Sequence, residues 1–263
     1  MAFTEQERAR LAERAAEIIA RYPKPRSALL PLLHLVQATE GFVSTDGIAF
    51  CAEQLGLTEA DVTGVVSFYT MYKRHPVGEY HVGVCTNTLC AIMGGDKIHA
   101  ELRAHLGTDG NQPTPDGKVS LERVECNAAC DYAPVMMVNW EFFDNMTPDS
   151  ARELVDGLRA GAEIAPARGA SRLVTWREAA MILAGYPDDQ ATTGHTAGSP
   201  TLAGLRIARE NGWTPDEPGT ARSASGNRAR SASGNTAQSA SGNRARSASA
   251  NTAQSASANR ERK

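Results

Sequence analysis

The stretch Tyr80-His81-Val82-Gly83-Val84-Cys85-Thr86-Asn87-Thr88-Leu89-Cys90 decides the fold. Its opening residues are short and apolar enough to be a buried strand, and they run directly into a Thr/Asn-rich loop holding a Cys-x4-Cys pair. The same device recurs downstream. Lys118 to Val124 alternates as a strand and delivers Glu125-Cys126-Asn127-Ala128-Ala129-Cys130, a Cys-x3-Cys pair. Two strands that each hand a cysteine pair to a loop let four thiolates converge without straining a ladder. A [2Fe–2S] cluster needs four such ligands, two per iron. The candidate ligands are Cys85, Cys90, Cys126 and Cys130.

Other sites compete for these residues. A structural zinc ion also takes four cysteines, usually from Cys-x2-Cys knuckles, and a zinc-stabilised interaction module stays open as an alternative. The Cys-x2-Cys of thioredoxin-type redox pairs and the Cys-x4-Cys-x2-Cys run of plant-type ferredoxins are absent. The fifth cysteine, Cys51, reads as a small core residue. Thr86, Asn87, Thr88 and Asn127 offer side-chain donors near the sulfurs or serve as ordinary turn residues. Ala91-Ile92-Met93 and Val135-Met136-Met137 read as core that also walls the site, and Asp131 places a charge one residue past Cys130. No histidine is read as a ligand: His34 fits a buried, hydrogen-bonded position, and His99 and His105 fit the exposed side of a helix. No G-x-G-x-x-G follows a strand and no G-x-x-x-x-G-K-[ST] occurs, so electrons must come from a partner or a diffusible donor.

Outward from the cysteines, the pattern is α/β (α+β) in character. Gly94 to Leu106 reads as a helix, Val135 to Trp140 as a strand and Pro148 to Ala160 as a second helix, opened by proline at its first position. Upstream the chain reads as a helical bundle. Thr4 with Glu7 makes a capping box, followed by Leu11, Ala15, Ile18 and Ile19 at helical spacing. Further helices fit Leu29 to Thr39, Asp46 to Leu55 and Thr58 to Phe68. The boundaries expected are a helical bundle at 1–76, a cysteine-bearing domain at 77–165, a peripheral extension with one short helix near Trp176 at 166–219, and a tail at 220–263.

Composition fits this division. A hydrophobic share of 41% supports a packed core, and no stretch reaches the ~18 apolar residues of a membrane span. The start carries no secretory signal, so the expected location is cytoplasmic. Thr220 to Lys263 holds eight of the 27 basic residues and one of the 30 acidic residues, which leaves a net charge of −10 on the rest. This tail repeats SASGNRAR-like octads without Leu, Ile, Val, Phe, Trp or Tyr. It has nothing to bury against its ordering entropy and is expected to be disordered, with no nucleic-acid partner.

Several separated motifs then resemble one family. Ser67-Phe68-Tyr69-Thr70, the Cys85/Cys90 pair, Thr114-Pro115-Asp116-Gly117 and Glu125 to Cys130 with Ala133-Pro134 are similar to the E subunit of bacterial respiratory complex I, NADH–quinone oxidoreductase. So are Leu29, Leu32, Leu33, Gln37 and Gly41-Phe42-Val43-Ser44. The resemblance covers roughly residues 20 to 160. It implies a thioredoxin-like [2Fe–2S] domain after the bundle, one [2Fe–2S] cluster on the four cysteines, and membership of an oxidoreductase complex that is not catalytic through this chain alone. It also implies a flavin- and NADH-binding F subunit as partner, other peripheral-arm subunits, FMN and NADH on that partner, and attachment to the cytoplasmic side of the membrane through the complex. The equivalent subunit of an NAD-linked hydrogenase or formate dehydrogenase is the alternative. The family often has glycine where Ala128 stands and an apolar residue where Asn127 stands.

Deleting Thr220 to Lys263 is expected to leave the cluster in place. Visible absorption and iron content of the truncated protein check this, and a colourless product would contradict it.

Overall fold

The computed structural model describes residues 3–108, 112–189 and 197–213, so the octad tail lies outside the described residues. The chain divides into two compact units, 1–207 and 208–263. The account below concerns the first.

Four helices open it: α1 (Glu5–Ile19), α2 (Leu29–Glu40), α3 (Thr45–Leu55) and α4 (Glu59–Phe68). Local chemistry sets their ends. Thr4 and Glu7 form the capping box of α1, and Thr58 and Asp61 that of α4. Ser44 accepts the Gly47 amide at the start of α3, and Gly41 and Gly56 end α2 and α3 with positive φ, where a side chain would be strained. Leu11, Ile18, Leu32, Leu33, Leu35, Val36, Phe50 and Val62 form one continuous core.

The second half is a four-stranded sheet of order β2-β1-β3-β4, from β1 (Tyr80–Cys85), β2 (Val119–Val124), β3 (Met136–Val138) and β4 (Glu141–Phe143). β1 pairs parallel with β2, with Cys85 opposite Val124, and antiparallel with β3. Two further helices, α5 (Thr88–Ile92) and α6 (Gly95–Leu106), follow β1, and α7 (Pro148–Ala160) follows β4. Ile98, Leu102, Leu154, Val155 and Leu158 close a second core against Val82, Val84, Leu121 and Met136. The Thr114-Pro115-Asp116-Gly117 motif anchors the start of β2: the Thr114 hydroxyl oxygen accepts the Val119 amide at 3.0 Å, and Arg159 holds Asp116 at 2.8 Å.

The strand expected through Trp140 is instead a hairpin. Asn139 and Trp140 both take positive φ (49° and 76°) and turn β3 into β4. Such turns favour Asn-Gly, and Trp140 in place of glycine hid this one. What it gains is ring packing against His81 and Trp176, with centroids 5.4 and 5.6 Å away.

The segment expected to be peripheral is not. Helix α8 (Trp176–Leu183) packs on α2. Trp176 is 1% exposed; its indole N–H donates to the Gly41 carbonyl at 2.7 Å and its amide to the Glu79 carbonyl at 2.8 Å. Arg177 donates to the free carbonyls of Thr39 and Glu40 at the end of α2, groups that a helix end otherwise leaves unsatisfied. The extension thus fastens bundle to sheet. Buried Gln37 adds to the joint, donating to the Met71 carbonyl at 3.1 Å and accepting the Lys73 amide at 2.8 Å. Lys73 in turn pairs with Glu122 on β2, which also bonds His81. A last helix, α9 (Ala203–Glu210), has no buried residue.

Trp176→Ala is expected to cost about 3–5 kcal/mol, from the cavity left by the indole. Urea unfolding checks this, and an unchanged midpoint would refute the joint.

Candidate iron–sulfur site

The parallel pairing of β1 and β2 brings the two cysteine-bearing loops to the same edge of the sheet. At the end of β1 the Cys85 amide donates to the Val135 carbonyl at 3.1 Å, and the next amide, Thr86, donates to Val124 at 3.2 Å. Asn87 then starts α5: its Oδ1 accepts the Thr88 amide at 2.8 Å and its Nδ2 donates to Glu125 at 3.1 Å. Its polar atoms serve the turn rather than a sulfur. The single turn of α5, which the sequence did not announce, folds Cys90 back toward Cys85. Both are almost fully buried, among Ala129, Ala133 and Val135.

Gly95, at the start of the helix expected over Gly94 to Leu106, lets α6 approach this loop. A Cβ at Gly95 would overlap the Cys85 carbonyl and stand 2.9 Å from the Cys90 carbonyl. The second loop is tighter still. Ala128 has a φ of +54°, which explains why glycine suits that position, and its amide points at the Cys126 sulfur at 3.3 Å. Cys130 opens a short 3-10 turn, Cys130–Tyr132, and the following Ala133–Pro134 bond is cis.

The sulfurs lie as two pairs, with Cys85 and Cys90 packed against Ala129 and Ala133 of the loop that carries Cys126 and Cys130. Cys126 and Cys130 lie 3.7 Å apart, sulfur to sulfur, and both are exposed. That separation matches the edge of a tetrahedron with metal–sulfur bonds of about 2.3 Å, roughly 3.8 Å. Among the described residues no three His, Cys, Asp or Glu side chains gather around a single point, so the arrangement is two pairs rather than one four-cornered cage. Burial pushes the Cys90 thiol up to about 11, despite the Val135 amide that donates to it, and Cys85 and Cys130 raise it further. The hydrogen bond with Cys126 raises the Cys130 thiol, followed by the charge of Cys126, burial, Cys85 and Asp131. A cationic centre beside Cys90 and Cys130 offsets these effects and favours their thiolate forms. The Asn127 side-chain N–H is buried without an acceptor, and a donor of that kind suits an anionic sulfur. Donor set and orphaned amide therefore fit an iron–sulfur group, which when bound takes up and releases single electrons.

Several other expectations need correction. Ile92 is 79% exposed and Met93 54% exposed, so with Leu89 they form an outward apolar rim instead of core; α5 is too short to turn all its faces inward. Val135 and Met136 are buried as expected. His99 lies on the buried face of α6, while His105 is exposed and bonds Asp156 at 2.7 Å. His34 is buried but its Nδ1 has no partner, and burial lowers its pKa to about 4. Cys51 is fully buried; burial, then the charge of Glu40, pushes its thiol up to about 12, which keeps it inert.

Residues 15–159 match the thioredoxin-like [2Fe–2S] ferredoxin family. The chain belongs to that family. As a family member it is 60% identical over 213 residues to the E subunit of NADH-quinone oxidoreductase from Mycobacterium tuberculosis, covering 80% of this chain and 84% of the relative. It is 38% identical over 151 residues to NADH-quinone oxidoreductase subunit 2 of Thermus thermophilus, covering 56% of this chain and 83% of the relative. Among solved structures, a thioredoxin-like [2Fe–2S] ferredoxin from Aquifex aeolicus is similar over 32% of this chain and 84% of its own, at 21% identity and a TM-score of 0.28. The resemblance carried by the motifs is thereby borne out, and with it the assignment to oxidoreductase subunits. Among the described residues no helix is long and apolar enough to cross a membrane.

Gly95→Ala is expected to push α6 off the cysteine loop, destabilise the fold by about 1–3 kcal/mol and lower iron content. Ala128→Gly is expected to stabilise it by about 0.5–1 kcal/mol as strain is relieved. Thermal unfolding with iron assays checks both, and the opposite order of stabilities would overturn this account of the loops.

Proposed function

We propose that the chain holds one [2Fe–2S] cluster on Cys85, Cys90, Cys126 and Cys130 and serves as the electron-transfer subunit of an NADH–quinone oxidoreductase. In that complex it exchanges single electrons with FMN on a flavin- and NADH-binding F subunit, alongside other peripheral-arm subunits, on the cytoplasmic side of the membrane. The observation that carries the reading is the convergence of two cysteine pairs, far apart in sequence, at one edge of the sheet. The names of the relatives at 60% and 38% identity support the choice of complex.

The residues divide the work. Cys85 and Cys90 hold the inner side of the site and Cys126 and Cys130 the outer side. The amides of Ala128 and Val135 donate to sulfur, which stabilises thiolate charge. The exposed rim of Leu89, Ile92 and Met93 offers an apolar seat for a partner at the same edge as the exposed sulfurs. A partner seated there would exclude water from the outer pair and shorten the path for an electron.

Cys126→Ser is expected to weaken or abolish the cluster, because a hard hydroxyl replaces a soft thiolate. Iron, sulfide and flavin measured together on protein purified with its neighbours, with the reduced-state electron paramagnetic resonance signal, test the reading. Full iron content in the serine variant, or one zinc per chain and no colour, would sink it.

A further inference from the structure

The loop carrying Cys130 is held by residues beyond the family match, from two places in the extension. Arg168 stacks its guanidinium over the rings of Tyr132 and Phe142, 5.1 and 3.9 Å from their centroids, and bonds Asp144 at 2.9 Å. Farther along, the chain crosses the same turn again. Gly198 lies against the Tyr132 hydroxyl, where any Cβ would overlap it. Three residues later the Thr201 hydroxyl donates to the Asp131 carboxylate at 2.5 Å.

Asp131 directly follows Cys130 and is exposed, so its carboxylate stands one residue from that sulfur. A carboxylate so placed disfavours the arrival of an electron by simple repulsion. A hydroxyl that donates to it draws its charge away from the sulfur and fixes the direction in which it points. We propose that Thr201 is a positioning residue of the redox centre: through its hydrogen bond to Asp131 it limits the negative charge presented to the Cys130 side and thereby raises the reduction potential. The proposal rests on Cys130 being a cluster ligand. It gives the extension, which the motifs left without a role, a part in tuning electron transfer.

The test is potentiometric titration of the full-length, cluster-loaded chain, followed by visible absorption and electron paramagnetic resonance. Asp131→Asn is expected to favour reduction by about tenfold, equivalent to 59 mV for one electron. Thr201→Val and Thr201→Ala are each expected to disfavour reduction by about threefold, while Thr201→Ser, which keeps the hydroxyl, stays at the wild-type potential. In the Asp131→Asn background, Thr201→Val is expected to have no further effect. A wild-type potential in Thr201→Val at full cluster content, or an equal shift with and without Asp131, would overturn the proposal. Should Thr201→Val not load, the comparison of Thr201→Ala with Thr201→Ser decides, and equal potentials refute it. Failure of the ligand assignment looks different: Cys130→Ser would then keep its full cluster, whatever the Thr201 variants did.

Discussion

The parallel pairing of β1 with β2 is the constraint on which the site depends. Because the strands run the same way in register, with Cys85 opposite Val124, both loops leave the sheet at one edge. An antiparallel pair would send them to opposite ends, and no cysteine spacing could then bring the sulfurs together. Such pairing needs a long crossover; α5 and α6 supply it, with Gly95 letting α6 sit directly on the cysteine backbone. The crossover that makes the topology possible also shapes the pocket.

The two halves of the site then acquire different surroundings. The pair on the crossover is enclosed by Ala129, Ala133 and Val135, and the pair after β2 faces outward. The outer pair therefore meets solvent, while the inner pair has the environment of a core.

Much of this was legible in the sequence because local chemistry specified it. Thr4 with Glu7, Thr58 with Asp61, and Gly41 and Gly56 marked helix ends with their own hydrogen bonds and backbone freedom, and the cysteine spacing pointed to the loops. What stayed hidden depended on contacts between distant residues or broke a local rule. Helix α5 has too few residues for periodicity to register. The β3–β4 hairpin puts Trp140 where a glycine is expected, with ring packing against Trp176 in return. Ile92 and Met93 look like core by composition, and only the direction of α5 turns them outward. Gly95 reads only as part of a helix until its neighbour across space is known to be the Cys85 carbonyl. Thr201 lies 70 residues from Asp131, and no pattern along the chain links them.

The clamp that Trp176 and Arg177 place on the end of α2 has a consequence for where this protein can be cut. The family match stops at residue 159, yet the groups that satisfy Gly41, Thr39 and Glu40 come from beyond it. The span of the family match and the span of the packed unit therefore do not coincide. A fragment trimmed to residues 15–159 would keep every cysteine and lose the latch that binds its helical half to its sheet.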